Sequence, residues 1–230
     1  MAITPRQNLE IHWCSLKKSP PHTPGRQQLS DQQRSTTPRG YEMRKRAEGV
    51  GRTRQRIIEA AVHLHGTAGP ASTSIAAIAE RAGVTRLTVY RHFPDENALF
   101  EACSGHWLSR QELPRPEMWA AFAGPVERLT AGLRDLYRFY RAGEQMLTLV
   151  IRDQHAVPEA MREARERTSR EYVEVLAGAW PAADAPVRRA VIGHAAAFST
   201  WRSLCREQGL TDEEAVEAMV TLVEAVDAKA

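Results

Sequence analysis

The sequence of 230 residues is poor in cysteine and in aromatic residues, and it has no long apolar run. Its three cysteines, Cys14, Cys103 and Cys205, are odd in number and far apart, as in proteins that keep reduced thiols. No stretch approaches the roughly 18 apolar residues that a transmembrane helix needs. The N-terminus also lacks the charged, apolar and small-residue segments of a secretory signal. These absences exclude a disulfide-rich secreted scaffold and predict a cytoplasmic protein with no membrane partner.

Motifs for catalysis and for metal binding are also lacking. Neither CxxC nor HExxH occurs in the chain. No nucleophile–base pair, no carboxylates at metal-binding spacing and no phosphate-binding loop are visible. The Glu and Arg residues of "EAMREARERTSREYVEVL" recur at spacings of three and four, which is typical of a solvated helix face. We therefore expect a protein that is not an enzyme and needs neither a metal nor a cofactor.

Positive charge is concentrated near the N-terminus, although the whole chain carries a formal net charge of only +3. Residues 39–56 contain seven basic and two acidic residues, a net charge of +5. Residues 57–230 contain 19 basic and 24 acidic residues, a net charge of −5. A basic arm on a mildly acidic body is typical of a chain whose N-terminal end meets a polyanion, although basic tails also serve solubility.

The first 42 residues are polar and rich in proline, without an apolar period, and this composition predicts disorder. Met43 is followed at once by "RKRAEGVGRTRQR" and is a second candidate for the start of translation. From Arg52 onward the apolar spacing is helical, and no strand pattern of consequence is visible. The sequence therefore predicts an all-α fold preceded by a disordered basic extension over residues 1–48.

Two short helices separated by a glycine predict a helix-turn-helix motif. Ser74 can cap the first of these helices, and Thr85 can cap the second. Gly83 lies between them, where a sharp turn requires a positive φ. The same pattern occurs in helical proteins that do not bind DNA, so the spacing alone leaves both interpretations open.

Apolar periodicity and helix breakers predict the remaining helices. A helix over about residues 53–65 precedes the motif, with Gly66 as a left-handed cap at its end. Asp95 can cap a fourth helix after the motif. The C-terminal region is predicted to contain helices over residues 125–142, 145–153, 158–180, 185–208 and 212–228.

The second helix of the motif carries side chains suited to reading a DNA groove. A major groove about 12 Å wide admits a helix whose N-terminal residues reach base edges. Arg86 can donate two hydrogen bonds to a guanine edge, whereas Thr88 and Leu87 can contact thymine methyl groups. Tyr90 and His92 suit phosphate oxygens. In the alternative interpretation Leu87 is core, Tyr90 packs under the preceding helix and His92 only complements the helix dipole.

The stretch "RIIEAAVHLHGTAGPASTSIAAIAERAGVTRLTVYRHFPDENALFEA" resembles the N-terminal domain of the TetR family of bacterial transcriptional regulators. Its specific parts are "IAERAGV", "TVYRHF" and the Ala-Leu-Phe helix that follows in register. The resemblance implies that the second helix of the motif enters the groove and that a hydroxyl at the start of the first contacts phosphate. With the basic arm, the expected DNA-contacting residues are Arg44, Lys45, Arg46, Arg52, Ser74, Thr85, Arg86, Leu87, Thr88, Tyr90, Arg91 and His92.

Two positions depart from the family pattern. Glu96 stands where family members often carry a lysine that bonds phosphate at the start of the fourth helix. An acid suits a helix N-terminus but repels DNA phosphate, so we expect this contact to be missing. Leu87 stands where the family usually has a small residue or proline. The basic arm could replace the lost phosphate affinity through the minor groove.

Wide apolar stripes on the last two predicted helices favour a homodimer closed by a four-helix interface, as in the family. The alternative is that both stripes form core within one chain. The expected interface residues are Val187, Val191, His194, Phe198, Trp201, Val216, Met219, Val220 and Val223.

The C-terminal region also contains aromatic residues that could line a pocket for a small hydrophobic or aromatic effector. By resemblance, such an effector would swing the two DNA-binding domains apart. Each of these residues has ordinary core packing as its alternative. The candidate lining residues are Trp107, Trp119, Phe122, Tyr137, Tyr140, Met146 and Trp180.

These expectations combine into a helix-turn-helix DNA-binding domain over residues 49–105 and a helical effector-binding and dimerisation domain over residues 106–230. We predict a TetR-like transcriptional repressor that binds a pseudo-palindromic double-stranded operator as a homodimer and is released by a small molecule. The alternative is an all-helical interaction or ligand-carrier protein without sequence-specific DNA binding. The acidic Glu96 gives this alternative some weight. Salt-dependent binding to promoter and to random DNA distinguishes the two functions.

Overall fold

The computed structural model describes residues 38–181 and 186–227. Within these ranges the chain forms helices and connecting turns, with no β-strand. A 3₁₀ turn joins α1 to α2, another joins α6 to α7, and α9 continues directly into a π-helical turn. The helices are α1 (Pro38–Thr67), α2 (Ile75–Ala82), α3 (Arg86–His92), α4 (Glu96–Leu108), α5 (Pro116–Trp119), α6 (Pro125–Arg152), α7 (Glu159–Ala177), α8 (Pro186–Ala195), α9 (Phe198–Arg202) and α10 (Asp212–Asp227).

The apolar residues gather into two separate cores. The N-terminal core joins α1, α2, α3 and α4 through buried side chains that include Ile57, Ile78, Val89, Phe93 and Leu99. The C-terminal core joins α5 to α10 and includes Trp119, Leu133, Tyr137, Leu176, Ile192, Trp201, Val216 and Val223. Two cores of this kind give the helix-turn-helix a rigid base of its own.

The first helix is longer at both ends than the sequence predicts. It begins at Pro38, so residues 38–48 of the predicted disordered extension are helical. Good helix formers occupy this segment, and Arg44 lies 3.6 Å from Glu48 one turn later. The prediction that Gly66 caps the helix is wrong, because α1 continues to Thr67 and the positive φ of 93° falls on Gly69.

Helix α6 is continuous over Pro125–Arg152, where the sequence predicts two helices. The predicted break lies next to Gly143, which is buried inside the helix. A Cβ at this glycine would lie 3.0 Å from Cη2 of Trp107, so the missing side chain gives the indole ring room against the helix. The glycine therefore provides packing space without ending the helix.

The single helix predicted over residues 185–208 is wrong, because α8 ends at Ala195 and α9 begins at Phe198. Two tyrosines of α6 donate hydrogen bonds to the backbone carbonyls at the break. Tyr137 Oη donates to the Ala195 carbonyl at 2.8 Å, and Tyr140 Oη donates to the Ala196 carbonyl at 2.7 Å. Burial raises the pKa of both phenols above its usual range, so both hydroxyls remain neutral donors.

Candidate nucleic-acid interface

The two helices of the motif begin at the predicted caps. Ser74 Oγ accepts a hydrogen bond from the Ala77 amide at 3.1 Å, and Thr85 Oγ1 accepts one from the Thr88 amide at 3.2 Å. Gly83 has a φ of 62° between them, as the sharp turn requires. Local chemistry thus fixes where α2 ends and where α3 starts.

One side of α3 is anchored in the N-terminal core. Val89 and Phe93, one turn apart, are both almost fully buried. The guanidinium of Arg54 on α1 lies over the Phe93 ring, 4.8 Å from its centre. This anchoring fixes which side of α3 faces outward.

The other side of α3 is open to solvent and carries the residues expected to read DNA. Arg86 and Arg91 are exposed, Leu87 is 71% exposed and Tyr90 is 47% exposed. His92 is half-buried at the end of the helix. The alternative in which Leu87 is core is therefore wrong, whereas Tyr90 is about half covered.

The structure places the remaining predicted contacts in two groups. Ser74 and Thr85 are exposed at the starts of α2 and α3, and Thr88 is half-buried beside Thr85, with the two hydroxyl oxygens 3.0 Å apart. Arg44, Lys45 and Arg52 are exposed on α1, whereas the side chain of Arg46 lies outside the described part. Arg44 precedes the buried Ile57 by almost four helical turns, about 20 Å along the axis. The basic residues thus extend α1 away from the core.

Acidic side chains occupy the start of α4. Asp95 Oδ1 accepts a hydrogen bond from the Ala98 amide at 2.7 Å, which confirms the predicted cap. Glu96 is exposed in the first turn, where its charge complements the helix dipole. The arrangement stabilises α4 and leaves no cation at this end of the helix to bond phosphate.

A polar clasp, formed by Arg152, Asp153 and the loop at residues 68–71, ties α6 to the helix-turn-helix. The buried Asp153 carboxylate accepts a hydrogen bond from the Ala71 amide at 3.1 Å, and Arg152 donates to the Ala68 carbonyl at 3.0 Å. The hydrogen bond from Arg152, helped by that from Ala71, lowers the pKa of Asp153 to about 2. A Cβ at Gly69 would overlap the Asp153 carboxylate. Sequence reasoning missed this contact, because its partners are more than 80 positions apart.

A cavity of about 260 Å³ lies beside the clasp, between the N-terminal core and the 3₁₀ turn before α7. Its lining includes His65, Glu96, Phe100 and His155. His65 is buried, its ring centre lies 4.9 Å from that of Phe100, and its Nδ1 lies 3.5 Å from Sγ of Cys103. Burial lowers the pKa of His65 to about 4, so the ring is neutral near neutral pH.

The residues predicted to line an effector pocket are dispersed. Trp119, Tyr137 and Trp180 are buried in the C-terminal core, which corrects their assignment to an open pocket, and Phe122 is exposed. The indole of Trp119 donates to Asp135 Oδ2 at 2.9 Å and so serves the packing of α5 on α6. A second cavity, of about 560 Å³, lies along α6. Neither of these two cavities is lined by any of the predicted residues, which include Trp107, Tyr140 and Met146.

Most of the predicted dimer interface is internal. Helix α10 packs on α6 and α8, and α8 also packs on α7, so their widest apolar stripes face inward and form core. Val191 and Phe198 are half-buried against this core. Val187 is 62% exposed and His194 is exposed, so only these two keep an open position. The predicted interface residues that are buried instead are Trp201, Val216, Met219, Val220 and Val223.

Metal-binding clusters and membrane spans are both absent from residues 38–181 and 186–227. No three His, Cys, Asp or Glu side chains come together there in a way that could hold a metal ion. None of the helices in these ranges combines the length and apolar character needed to cross a bilayer.

Residues 57–103, which contain α2 and α3 with their supporting helices, match the family model of the bacterial regulatory proteins, tetR family. The chain therefore resembles this family over about a fifth of its length. Over 57 residues it is 44% identical to the HTH-type transcriptional regulator AcrR of Shigella flexneri. This match covers 25% of the chain and 26% of AcrR, so the chain spans about a quarter of the length of the curated relative that it matches.

Solved structures extend the likeness to the whole fold. A TetR-like transcriptional regulator from Rhodococcus sp. RHA1 is 20% identical, with a TM-score of 0.54, over 76% of this chain and 96% of that chain. NalD of Pseudomonas aeruginosa is 21% identical, with a TM-score of 0.52, over 77% and 96%. AibR, solved with isovaleryl coenzyme A and operator DNA, is 23% identical, with a TM-score of 0.55, over 74% and 97%. At these identities the likeness shows that the chain shares the fold of these regulators.

Proposed function

We propose that the chain is a homodimeric transcriptional repressor that binds a pseudo-palindromic operator and is released from it by a small effector. The observation that carries the proposal is the open face of α3. Leu87 and Tyr90 project from this short helix, flanked by Arg86 and Arg91, while Val89 anchors its other side in the core. An exposed leucine and an exposed tyrosine one helical turn apart, between two arginines, form a surface patch suited to a binding partner. The complex of AibR with operator DNA is a precedent for this use of the fold.

The charges around α3 favour a polyanion. The helix itself carries no acidic residue, and α1 leads away from it with the basic segment 39–56. Arg86, at the N-terminal end of α3, would read base edges, and Tyr90 would bond phosphate. The exposed basic arm adds contacts that do not depend on sequence, which strengthens binding at low salt.

Dimerisation is proposed through the outer faces of α8 and α10. Val187, Ala190 and His194 are exposed along α8 at steps of three and four. Helix α10 exposes Leu222 and, one turn to either side, small alanines. Two copies of such a pair can close a four-helix interface. A two-fold axis would then present two α3 helices to half-sites about 34–36 Å apart, or a multiple of that distance.

The clasp provides the route from effector to operator. Asp153 at the end of α6 is bonded to the loop that precedes α2, so a shift of α6 moves the base of the helix-turn-helix. Effector binding against α6 would change the separation of the two α3 helices in the dimer. A changed separation no longer matches two fixed half-sites, and repression is lost.

Replacing Arg86 by alanine is expected to relax sequence preference at one base position of each half-site. The lost guanidinium contact should cost about 1–3 kcal/mol in binding to the operator, with little change in binding to random DNA. Retardation of the protein's own promoter fragment, at several salt concentrations, measures both values.

The control for Arg86 is Arg167→Ala, which removes an exposed arginine from α7. This variant should bind operator and random DNA like wild type. Equal retardation of promoter and random DNA by the wild-type protein would contradict the proposed function. A uniform loss in the Arg86 variant would show that this side chain contacts phosphate instead of a base.

Placing glutamate at Leu222 is expected to dissociate the dimer and weaken operator binding at least tenfold, because the charge would be buried against its symmetry-related copy. Leu222 is 42% exposed in the single chain, so the free energy of unfolding of the protomer should change little. Sedimentation velocity at micromolar concentration measures the dissociation. The control is Met118→Glu on α5, since Met118 is also exposed, and it should leave the oligomeric state unchanged. An unchanged oligomeric state in the Leu222 variant would place the interface elsewhere.

A further inference from the structure

Two arginines lie on the inner face of α7 without a salt bridge to any residue that the structure describes. Arg162 and Arg165 are both partly buried and lie one turn apart. Nε of Arg162 is shielded from solvent and has no hydrogen-bond partner in residues 38–181 and 186–227. Among the described residues neither guanidinium forms a salt bridge. Burial lowers the pKa of Arg165, and the nearby charge of Arg162 lowers it further, against the attraction of Glu166.

The outer face of the same helix shows the usual arrangement. Arg167 lies 3.7 Å from Glu163, and Arg170 lies 3.8 Å from Glu166, both as exposed pairs one turn apart. The carboxylates of Glu163 and Glu166 on α7 therefore form ion pairs with the exposed arginines of that helix. Burying two cations without a counter-ion raises the free energy of the folded state. Such a pair therefore normally binds a partner or serves a function.

Apolar side chains of α4 and α6 lie at the level of Arg165. Helices α6 and α7 are antiparallel, and a Cβ at Gly132 would overlap the side chain of Leu176, which fixes their register. With equal rise along both helices, Arg165 lies at about the level of Gly143. There the Trp107 ring packs against the helix, with its centre 6.1 Å from that of Phe139.

This stretch of the molecule lies between the two cores and belongs to neither. The partly buried apolar side chains there, on α4, on the second half of α6 and at the start of α7, are absent from both core clusters. They can therefore separate without breaking either core. The side chains concerned are Trp107, Phe139, Leu147, Val150 and Met161.

We propose that Arg162 and Arg165 bind the charged group of an amphipathic anionic effector, a carboxylate or a phosphate ester. Its apolar part would lie between α6 and α7, against Trp107 and Leu147. The inference rests on the proposed function and narrows its effector from hydrophobic compounds in general to anions. A guanidinium pair offers several donors in fixed planes, which suits the oxygens of both groups. Insertion at this level would displace the half of α6 that ends in the clasp.

The test measures the melting temperature of the full-length protein, without DNA, in the presence of octanoate, octyl phosphate or octylamine. These probes share an apolar chain and differ in the charge of the head group. Octanoate or octyl phosphate should raise the melting temperature of wild type, and the stronger of the two identifies the head group. Octylamine should not raise it. Arg165→Met should lose the response, whereas the control Arg170→Met should keep it.

The melting temperatures of the variants without ligand provide a second test. Removing an unpaired, partly buried cation relieves its desolvation, so Arg165→Met is expected to melt about 2–4 °C above wild type. Arg170→Met should melt within about 1 °C of wild type, because its ion pair is exposed. A residue that only supports the fold would give the opposite sign when it is removed.

Several results would overturn the proposal. They are an equal response to octylamine, the same response in both variants, no response of wild type to either anion, or a lower melting temperature for unliganded Arg165→Met. Because these assays contain no DNA, their failure is separable from failure of the proposed function. Wild type that binds operator but not the anions leaves the repressor proposal standing, and anion binding without operator binding leaves the effector site standing.

Discussion

Replacing Trp201 by alanine is expected to lower the free energy of unfolding by about 3–5 kcal/mol. The indole is fully buried in the C-terminal core, and its N–H donates to Asp212 Oδ1 at 2.8 Å. The guanidinium carbons of Arg141 and Arg206 lie 5.7 Å and 5.1 Å from the ring centre. Truncation would therefore leave a large cavity and remove a hydrogen bond from a partly buried carboxylate.

The two arginines are themselves held in place. Arg141 donates to both carboxylate oxygens of Asp212 at 2.6 Å, and Arg206 donates to Glu144 at 2.6 Å. These bonds link α6, α10 and the π-helical turn after α9 around the Trp201 ring. Loss of the ring would thus loosen three elements at once, which places the expected effect at the upper end of the range.

Urea unfolding at two protein concentrations, tenfold apart, measures the effect of Trp201→Ala. The loss should be the same at both concentrations, because the side chain is buried within one chain. Phe122→Ala is the matched control, since it removes an exposed aromatic ring and should change stability by less than about 0.5 kcal/mol. A loss that disappears at the higher concentration would show that Trp201 is interface, as the sequence pattern alone suggests.

The prediction for Trp201 also shows where the sequence is informative. Ser74, Gly83, Thr85 and Asp95 are in their predicted roles because a cap or a turn depends only on residues within one helical turn. The exposed face of α3 follows from the same local logic, since burial of Val89 sets the rotation of the helix. The part of the proposed DNA-binding site that lies on α3 therefore follows from the sequence of that helix and its two flanking turns.

The predictions that are wrong depend on contacts between distant residues. The helix predicted over 185–208 is broken because two of its carbonyls accept hydrogen bonds from Tyr137 and Tyr140. These tyrosines lie on α6, more than 50 positions earlier in the sequence. The apolar stripes of α8 and α10 suggest a dimer interface, whereas most of their residues form core within one chain. Periodicity shows that a helix face is buried, but it does not show which element covers that face. The same limit conceals the unpaired charges of Arg162 and Arg165. Spacing on α7 indicates a solvated face, and only the packing of α6 shows which arginines point inward.

Acidification from pH 6.5 to 4 is expected to destabilise the N-terminal core by up to about 3 kcal/mol through His65. In the unfolded chain this imidazole has its ordinary pKa of 6.5, whereas burial in the folded chain lowers the pKa to about 4. Between these values the unfolded state binds more protons, so stability falls as the pH drops. The stabilisation is complete above pH 6.5 and is lost below about pH 4, at about 1.4 kcal/mol for each unit of the pKa difference.

His65→Gln removes the titrating group and should flatten the dependence of the unfolding free energy on pH within this window. His63→Gln is the matched control, because His63 is exposed on the same helix two positions earlier and should leave the slope unchanged. Asp153 does not interfere, since its pKa is lowered from 3.8 to about 2 and its contribution is lost only below this window. Parallel pH profiles for wild type and His65→Gln would show that the folded protein accommodates the protonated ring. In that case the contact of His65 with Phe100 and Cys103 opens while the N-terminal core stays folded. The contacts between α1 and α4 would then contribute less to stability than the burial of His65 indicates.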